Sequence, residues 1–273
     1  MRRKHKDKIG LGEIMRVLVT GASGQLGSEV VRTMRERGHE VMAAGRSNDF
    51  EPFAFELGDE AAAFRVIESA KPEAVIHCGS WTAVDDAEKE ENRPAVYKVN
   101  VTGMEQIARA SEAAGAKLIY ISTDYVFDGR GDAPHKADEI PHDPVNYYGF
   151  TKLEGENRVK SICSRYYIVR ISWGFGAAKN NFVNAILKAA SSVPVLKVVN
   201  DQFGAPTYMP DAAVVISQMA ETDKYGFYNL TNSGGFITWY DFAAEIIRQT
   251  GMSTGLVPVS TEEYGHRLAA RPF

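Results

Sequence analysis

The chain has 273 residues, 44% of them hydrophobic and 24% charged, enough to bury a sizeable core in one large domain or two small ones. A formal net charge of -4 offers no basic surface for nucleic acid, and no apolar run approaches the ~20 residues of a membrane span. The two cysteines, Cys78 and Cys163, lie far apart and belong to no metal-spaced cluster, which fits a reducing, cytoplasmic compartment.

The start, "MRRKHKDK", is strongly basic. No apolar run follows it, so it does not read as a secretory signal, and residues 1–13 are expected to be a disordered extension rather than a nucleic-acid or membrane tether. "IMRVLVT" (14–20) then reads as a buried strand and "QLGSEVVRTMRERG" (25–38) as a helix ending at Gly38. Further strands are expected in "HEVMAAG" (39–45), "PEAVIHCG" (72–79), "AKLIYIST" (116–123) and "RYYIVRIS" (165–172). Between them, "DEAAAFRVIESA" (59–70) and "MEQIARASEAAG" (104–115) carry helical periodicity. Strict alternation of strand and helix implies crossover connections, hence a doubly wound, mainly parallel α/β sheet covered on both faces. Residues 14–172 are expected to form that domain. Beyond residue 172 the pattern loosens: "NNFVNAILKAA" and "WYDFAAEIIRQTG" are good helices, separated by "VLKVVND", "DAAVVISQMA" and "GFYNLTN". Residues 173–273 are expected to be a smaller lobe, with some of its strands rejoining the main sheet.

Gly21, Gly24 and Gly27 of "VLVTGASGQLGSEV" fall between the first strand and the first helix. A pyrophosphate needs close backbone approach, N–H groups at a helix N-terminus and tight helix–strand packing, and glycine permits each. Three glycines alone would also suit an ordinary turn. The strand before and the helix after point instead to dinucleotide binding, the Rossmann arrangement. The second strand ends "AAGRS", with Arg46 where NAD-preferring folds place a carboxylate for the ribose 2′-hydroxyl. A guanidinium suits a 2′-phosphate, so NADPH is the expected cofactor, with NADH the alternative if Arg46 is only a solvated surface residue.

"NYYGFTK" (146–152) sets two tyrosines before a lysine. On a helix, residues four apart share a face and residues five apart do not, so Tyr148 pairs with Lys152 and Tyr147 does not. Free tyrosine titrates near 10, and an adjacent ammonium would bring Tyr148 towards the working range of an acid or base. "IYISTDYVFDG" ends a parallel strand with Ser122 and Thr123, and such sheets bind ligands at their carboxyl ends.

At this point the chain resembles a known family, the dTDP-4-dehydrorhamnose reductases among the extended short-chain dehydrogenase/reductases. The stretches that carry the likeness are "GASGQLG", with the GxxGxxG spacing of that group, "WTAVDDAE", "VNVTGMEQIARA", "STDYVFDG", "NYYGFTKLEGE", "ISWGFG", "NNFV", "DQFGAPT" and "ITWYDFAAEI". The resemblance implies a catalytic trio of Thr123, Tyr148 and Lys152, with Lys152 also on the nicotinamide ribose. It implies pyrophosphate contacts from Ser23, Gly24, Gln25 and Leu26. It also implies that Ser80, Trp81 and Thr82 line the cofactor or the sugar nucleotide, and that Val84, Asp124, Tyr125 and Trp173 contact the substrate. The implied substrate is a dTDP-sugar, the implied reaction the reduction of its 4-keto group, and the implied setting nucleotide-sugar and polysaccharide biosynthesis. A homodimer is left open; some members join through a metal held by carboxylates, and no ligand set for one can be placed in this sequence.

There are departures. His77 and Cys78 replace small or amide residues common in the family and are expected to pack rather than react. The family also tends to continue past an Arg-Pro where this chain reads "ARPF". A dehydratase or epimerase of the same fold is a second reading, but elimination commonly uses an Asp-Glu pair and here Tyr125 follows Asp124. A third is a cofactor-binding regulatory subunit without turnover.

Overall fold

The computed structural model describes residues 13–131, 133–177, 181–265 and 269–272. The basic extension expected at 1–13 therefore lies, but for its last residue, outside the described residues. In chain order the first half runs β1 (Arg16–Thr20), α1 (Gln25–Glu36), β2 (Glu40–Ala44), α2 (Glu60–Ala70), β3 (Ala74–His77), α3 (Val84–Ala87) and α4 (Arg93–Tyr97). A π-turn, Lys98–Thr102, leads into α5 (Gly103–Ala113), followed by β4 (Lys117–Thr123), α6 (Tyr147–Ile162) and β5 (Tyr166–Ile171). Then come β6 (Gly174–Phe175), α7 (Phe182–Ala190), β7 (Val195–Val199), β8 (Phe203–Gly204), β9 (Thr207–Tyr208), α8 (Met209–Ala220) and β10 (Gly226–Leu230). The last elements are β11 (Ile237–Thr238), α9 (Trp239–Thr250), β12 (Gly255–Val259) and α10 (Thr261–Tyr264).

Six strands form one parallel sheet in the order β10-β5-β4-β3-β1-β2. Val17, Leu18 and Val19 of β1 and Val75 and Ile76 of β3 are wholly buried. That explains why these strands read as continuous apolar runs: helices cover both faces. Leu26, Val30 and Met34 of α1 pack with Ala212, Ala213 and Ile216 of α8 on one face. Ala63, Val66 and Ile67 of α2, Met104 and Ile107 of α5, and Val159 of α6 cover the other. The chain order reverses between β1 and β3, and a sheet that reverses there opens a crevice beyond the carboxyl ends of those strands.

The segment beyond β5 contributes to two cores. β10 pairs in parallel with β5 at the edge of the main sheet, and α8 lies on that sheet. The parallel pair β7 and β12 instead builds a smaller core with α7 and α9, centred on Ile186, Val198, Phe242 and Ile246. The 12-residue helix α9 begins at a capping box: Thr238 accepts from the Asp241 N–H while the Asp241 carboxylate accepts from the Thr238 N–H. No helix among the described residues is long and apolar enough to cross a membrane.

Candidate active site

The turn from β1 into α1 is shaped for a ligand to approach the backbone. Gly21 has a φ of +68°, and a Cβ there would come 2.5 Å from the Gly79 backbone nitrogen. A Cβ on Gly27 would collide with the Gly21 carbonyl oxygen, so the glycine holds α1 against the turn. Gly24 is the N-cap, no side chain caps the helix, and its first turn carries no acidic residue. The positive end of the α1 dipole is thus open to an anion. Gln25 adds a buried amide nitrogen without a hydrogen-bond partner. The Ser23 side chain is exposed, whereas Leu26 packs into the core and leaves only its backbone to the turn. These features fit a pyrophosphate. The Ala22 N–H donates to the Ala44 carbonyl at 3.1 Å, which ties the turn to the end of β2; Arg46 stands exposed two residues beyond that tie.

Asn100, a residue that the sequence did not single out, organises the other wall. From the π-turn its side-chain oxygen accepts from Ser80 Oγ at 3.0 Å and from the Trp81 N–H at 2.8 Å, while its amide nitrogen donates to Thr151 Oγ1 at 3.1 Å. A buried amide inside a helical run was the available signal, and π-turns often mark functional sites. Thr82, just beyond, is exposed.

Thr123, Tyr148 and Lys152 come together where β4 ends against α6. The Thr123 hydroxyl donates to Asp124 Oδ1 at 3.0 Å, accepts from the Tyr125 N–H at 3.2 Å, and is hydrogen-bonded to the Tyr148 phenol. Asn146 caps α6 by accepting from the Gly149 N–H at 2.7 Å, which starts the helix at Tyr147. Tyr148 therefore turns inward, edge-on to Tyr125 at 5.7 Å between ring centres. Tyr147 faces elsewhere, its hydroxyl on the Arg93 carbonyl at 3.4 Å and the Arg93 guanidinium over its ring.

One expectation is overturned. Lys152 does not bring the Tyr148 phenol down: burial pushes it well above its ordinary value, the Thr123 hydrogen bond offsets only part, and Asp124 and Tyr125 push it further. The lysine is itself buried at 2% exposure, and desolvation draws its pKa down to about 7, with Glu156 opposing. Desolvation disfavours either charged form, phenolate or ammonium, and it is the largest influence on both groups. Burial also holds Asp124 up at about 6. His77 and Cys78 pack as expected: His77 shares a 2.6 Å hydrogen bond with Thr20 and burial lowers it to about 3, while burial pushes the Cys78 thiol up to about 12.

A cavity of about 810 Å³ opens beside this cluster, lined among others by Asp124, Tyr125, Arg170, Trp173, Phe203 and Trp239. Trp173 stacks on Trp239 at 3.4 Å with the rings 8° from parallel, and Gly204 leaves the room that its ring needs. Its backbone has a φ of +43°, a left-handed conformation that a bulky side chain seldom adopts and that concentrates at binding sites. Of the four expected substrate contacts, Asp124, Tyr125 and Trp173 line this cavity. Val84 instead packs with Ala87, Val96 and Tyr148. Arg271, also in the lining, donates to Asp85 at 2.8 Å and brings residues 269–272 against α3.

A parallel sheet with an open helix dipole at its switch point, and a hydroxyl, a phenol and an ammonium at the end of β4, define a Rossmann-type protein of the short-chain dehydrogenase/reductase class. Within that class, the chain belongs to the family described as RmlD substrate binding domain, whose model matches residues 15–273. It is 38% identical to the dTDP-4-dehydrorhamnose reductase of Aggregatibacter actinomycetemcomitans over 94% of this chain and 88% of that protein. It is 36% identical to the spore coat polysaccharide biosynthesis protein SpsK of Bacillus subtilis, over 92% of this chain and 85% of that one. The crystal structure of dTDP-4-dehydrorhamnose reductase from Bacillus anthracis in complex with NADP superposes with a TM-score of 0.88 at 36% identity, covering 95% of this chain and 88% of that one.

Proposed function

We propose that the chain reduces the 4-keto group of dTDP-4-dehydro-L-rhamnose to give dTDP-L-rhamnose, with NADPH, or NADH in its place, as reductant. When bound, the nicotinamide supplies the hydride that adds to C4 of the sugar. Gly21, Ser23, Gly24, Gln25, Leu26 and Gly27 would hold the pyrophosphate, Arg46 the 2′-phosphate, Ser80, Trp81 and Thr82 the wall towards the nicotinamide, and Lys152 the ribose. The sugar nucleotide would lie in the cavity, against Trp173, Asp124 and Tyr125, with residues 173–273 forming much of its far side.

Tyr148 is the proton donor in this reading. Reduction leaves negative charge on the C4 oxygen, and a phenol whose pKa burial has raised is fully protonated at neutral pH, so the acid is loaded. Thr123 has one hydroxyl proton. Turned from Asp124 to the carbonyl oxygen, it polarises the bond that is reduced. Lys152, one helical turn on, supplies positive charge to steady the phenolate left behind. Thr123, Tyr148 and Lys152 are thus the catalytic residues proposed.

One observation carries the reading: the Tyr148 phenol meets the Thr123 hydroxyl beside a cavity large enough for a nucleotide sugar, in a chain matched over 94% of its length by a dTDP-4-dehydrorhamnose reductase. The test is spectrophotometric oxidation of NADPH and of NADH with a panel of dTDP-, UDP- and GDP-4-keto sugars. Turnover highest with the dTDP-4-keto sugar supports the proposal. Tight NADPH binding without turnover on any of them would favour the regulatory subunit.

A further inference from the structure

Beside the proposed acid lies a buried charged cluster that the chemistry above leaves unused. The Arg170 guanidinium donates twice to the Glu156 carboxylate, Nε to Oε1 at 3.0 Å and Nη2 to Oε2 at 2.9 Å, and the two side chains are 2% and 3% exposed. Ser122 Oγ donates to the same Oε1 at 2.6 Å. Arg170 is held further by the Ala137 carbonyl at 3.4 Å and by the rings of Phe127 and Phe227, whose centres are 4.9 and 5.1 Å from its guanidinium carbon. A pair so buried seldom adds net stability, since desolvating two charges cancels their attraction, and apolar residues of similar volume often serve the fold as well.

The cluster joins three elements at the candidate site. Ser122 precedes Thr123 on β4, Glu156 lies one turn beyond Lys152 on α6, and Arg170 reaches from β5 to the cavity wall. Around the Lys152 ammonium stand the Ile121 carbonyl and Tyr120 ring on β4, His77 and Cys78 at the end of β3, and Tyr148 and Glu156 on its own helix. Burial keeps His77 and both tyrosines uncharged at neutral pH and Cys78 a thiol, so Glu156 is the anion of the set. Arg170 stands behind it and donates to both of its carboxylate oxygens.

We propose that Glu156 is a positioning residue, clamped by Arg170 and Ser122, whose carboxylate stands one helical turn beyond the buried Lys152 ammonium as its counter-charge and locks α6 to the end of β4 so that Tyr148 and Thr123 address one substrate oxygen. This rests on the reading of Tyr148 and Lys152 as working residues.

Two variants test it, each read twice. Glu156→Gln keeps the side-chain shape but removes the charge. The double variant Glu156→Leu with Arg170→Met replaces the pair by apolar volume and leaves no unpaired buried charge. The first readout is the pH profile of kcat for NADPH oxidation; the second is the thermal midpoint against pH, which needs neither cofactor nor turnover. Loss of the nearby carboxylate should move the alkaline fall of kcat about 1–3 pH units lower. The pH at which the midpoint starts to rise should move with it, and the double variant should keep a wild-type midpoint at high pH. A folded double variant with both profiles unchanged would overturn the proposal and leave the pair a structural tie. If the wild-type protein turns over none of the keto sugars, the catalytic reading fails by itself, while the midpoint profiles still report whether Glu156 sets the charge on Lys152.

Discussion

The Lys152 ammonium donates to the Ile121 carbonyl oxygen at 2.7 Å and stands 4.2 Å from the centre of the Tyr120 ring, so the cation one turn beyond Tyr148 is anchored to β4 rather than to the phenol. The strand that carries Thr123 and the helix that carries Tyr148 are thereby joined through a charge. A charge in that place is expensive to keep, and the cost has a measurable consequence.

Lysine in an unfolded chain titrates near 10.4, whereas folded Lys152 does so at about 7. Between those values the unfolded chain holds a proton that the folded chain does not, so stability should rise as pH climbs from about 7 towards 10. Below 7 both states are protonated and the full cost of the buried ammonium is felt. Lys152→Met should therefore melt higher than the wild type at pH 6, by roughly 2–4 °C for each kcal/mol recovered, and lose the advantage by pH 10. It should also lose turnover. Calorimetric midpoints across that range check this; a variant that is less stable at every pH would show that the hydrogen bond to Ile121 outweighs the desolvation.

Tyr148→Phe removes only a proton donor from a packed ring. The fold and NADPH binding should survive, and kcat should fall by ~10²–10⁴, the usual contribution of general acid catalysis. Tyr147→Phe gives up one long hydrogen bond to the Arg93 carbonyl at 3.4 Å and should cost far less. Steady-state kcat for both, with circular dichroism to confirm folding, decides it. Equal losses would remove Tyr148 from the mechanism.

Arg46 is exposed just past β2, close in sequence to the tie between Ala22 and Ala44. A carboxylate in its place would repel a 2′-phosphate and accept from a 2′-hydroxyl. Arg46→Asp should lower the ratio of kcat/KM for NADPH over NADH at least tenfold. An unchanged ratio would mark Arg46 as a surface residue only.

Trp173 combines a strained backbone with a stacked ring at the cavity wall. Trp173→Ala should raise KM for the sugar nucleotide while the Kd for NADPH stays nearly constant. Trp173→Gly loses the same ring but relieves the φ of +43°, so it should be more stable than the alanine variant by ~0.5–1 kcal/mol despite its greater unfolded freedom. Paired titrations and urea melts test both halves. A fall in NADPH affinity equal to the rise in KM would show that the ring only supports the fold.

Local rules made much of this readable in advance. The strands of the parallel sheet appear as apolar runs because both their faces are buried, as the wholly buried Val17 to Val19 demonstrate. Gly21 and Gly27 were expected at a tight strand-to-helix turn, and a Cβ at either meets backbone. That Tyr148 and not Tyr147 turns inward follows from the angular step of a helix, a property of neighbouring residues alone. Tertiary structure decided the rest, because desolvation depends on what surrounds a group and leaves no mark beside it in the chain. The carbonyl that holds Lys152 is 31 residues away, so its proximity to Tyr148 could be read from the sequence while the direction of both pKa values could not. Asn100 reaches Thr151 over 51 residues, and Arg170 finds Glu156 only because β5 is laid beside β4 under α6. Chain-local spacing determined which side chains share a face; the packing of β4, β5 and α6 determined which of them are stripped of water, and with that how each holds its charge.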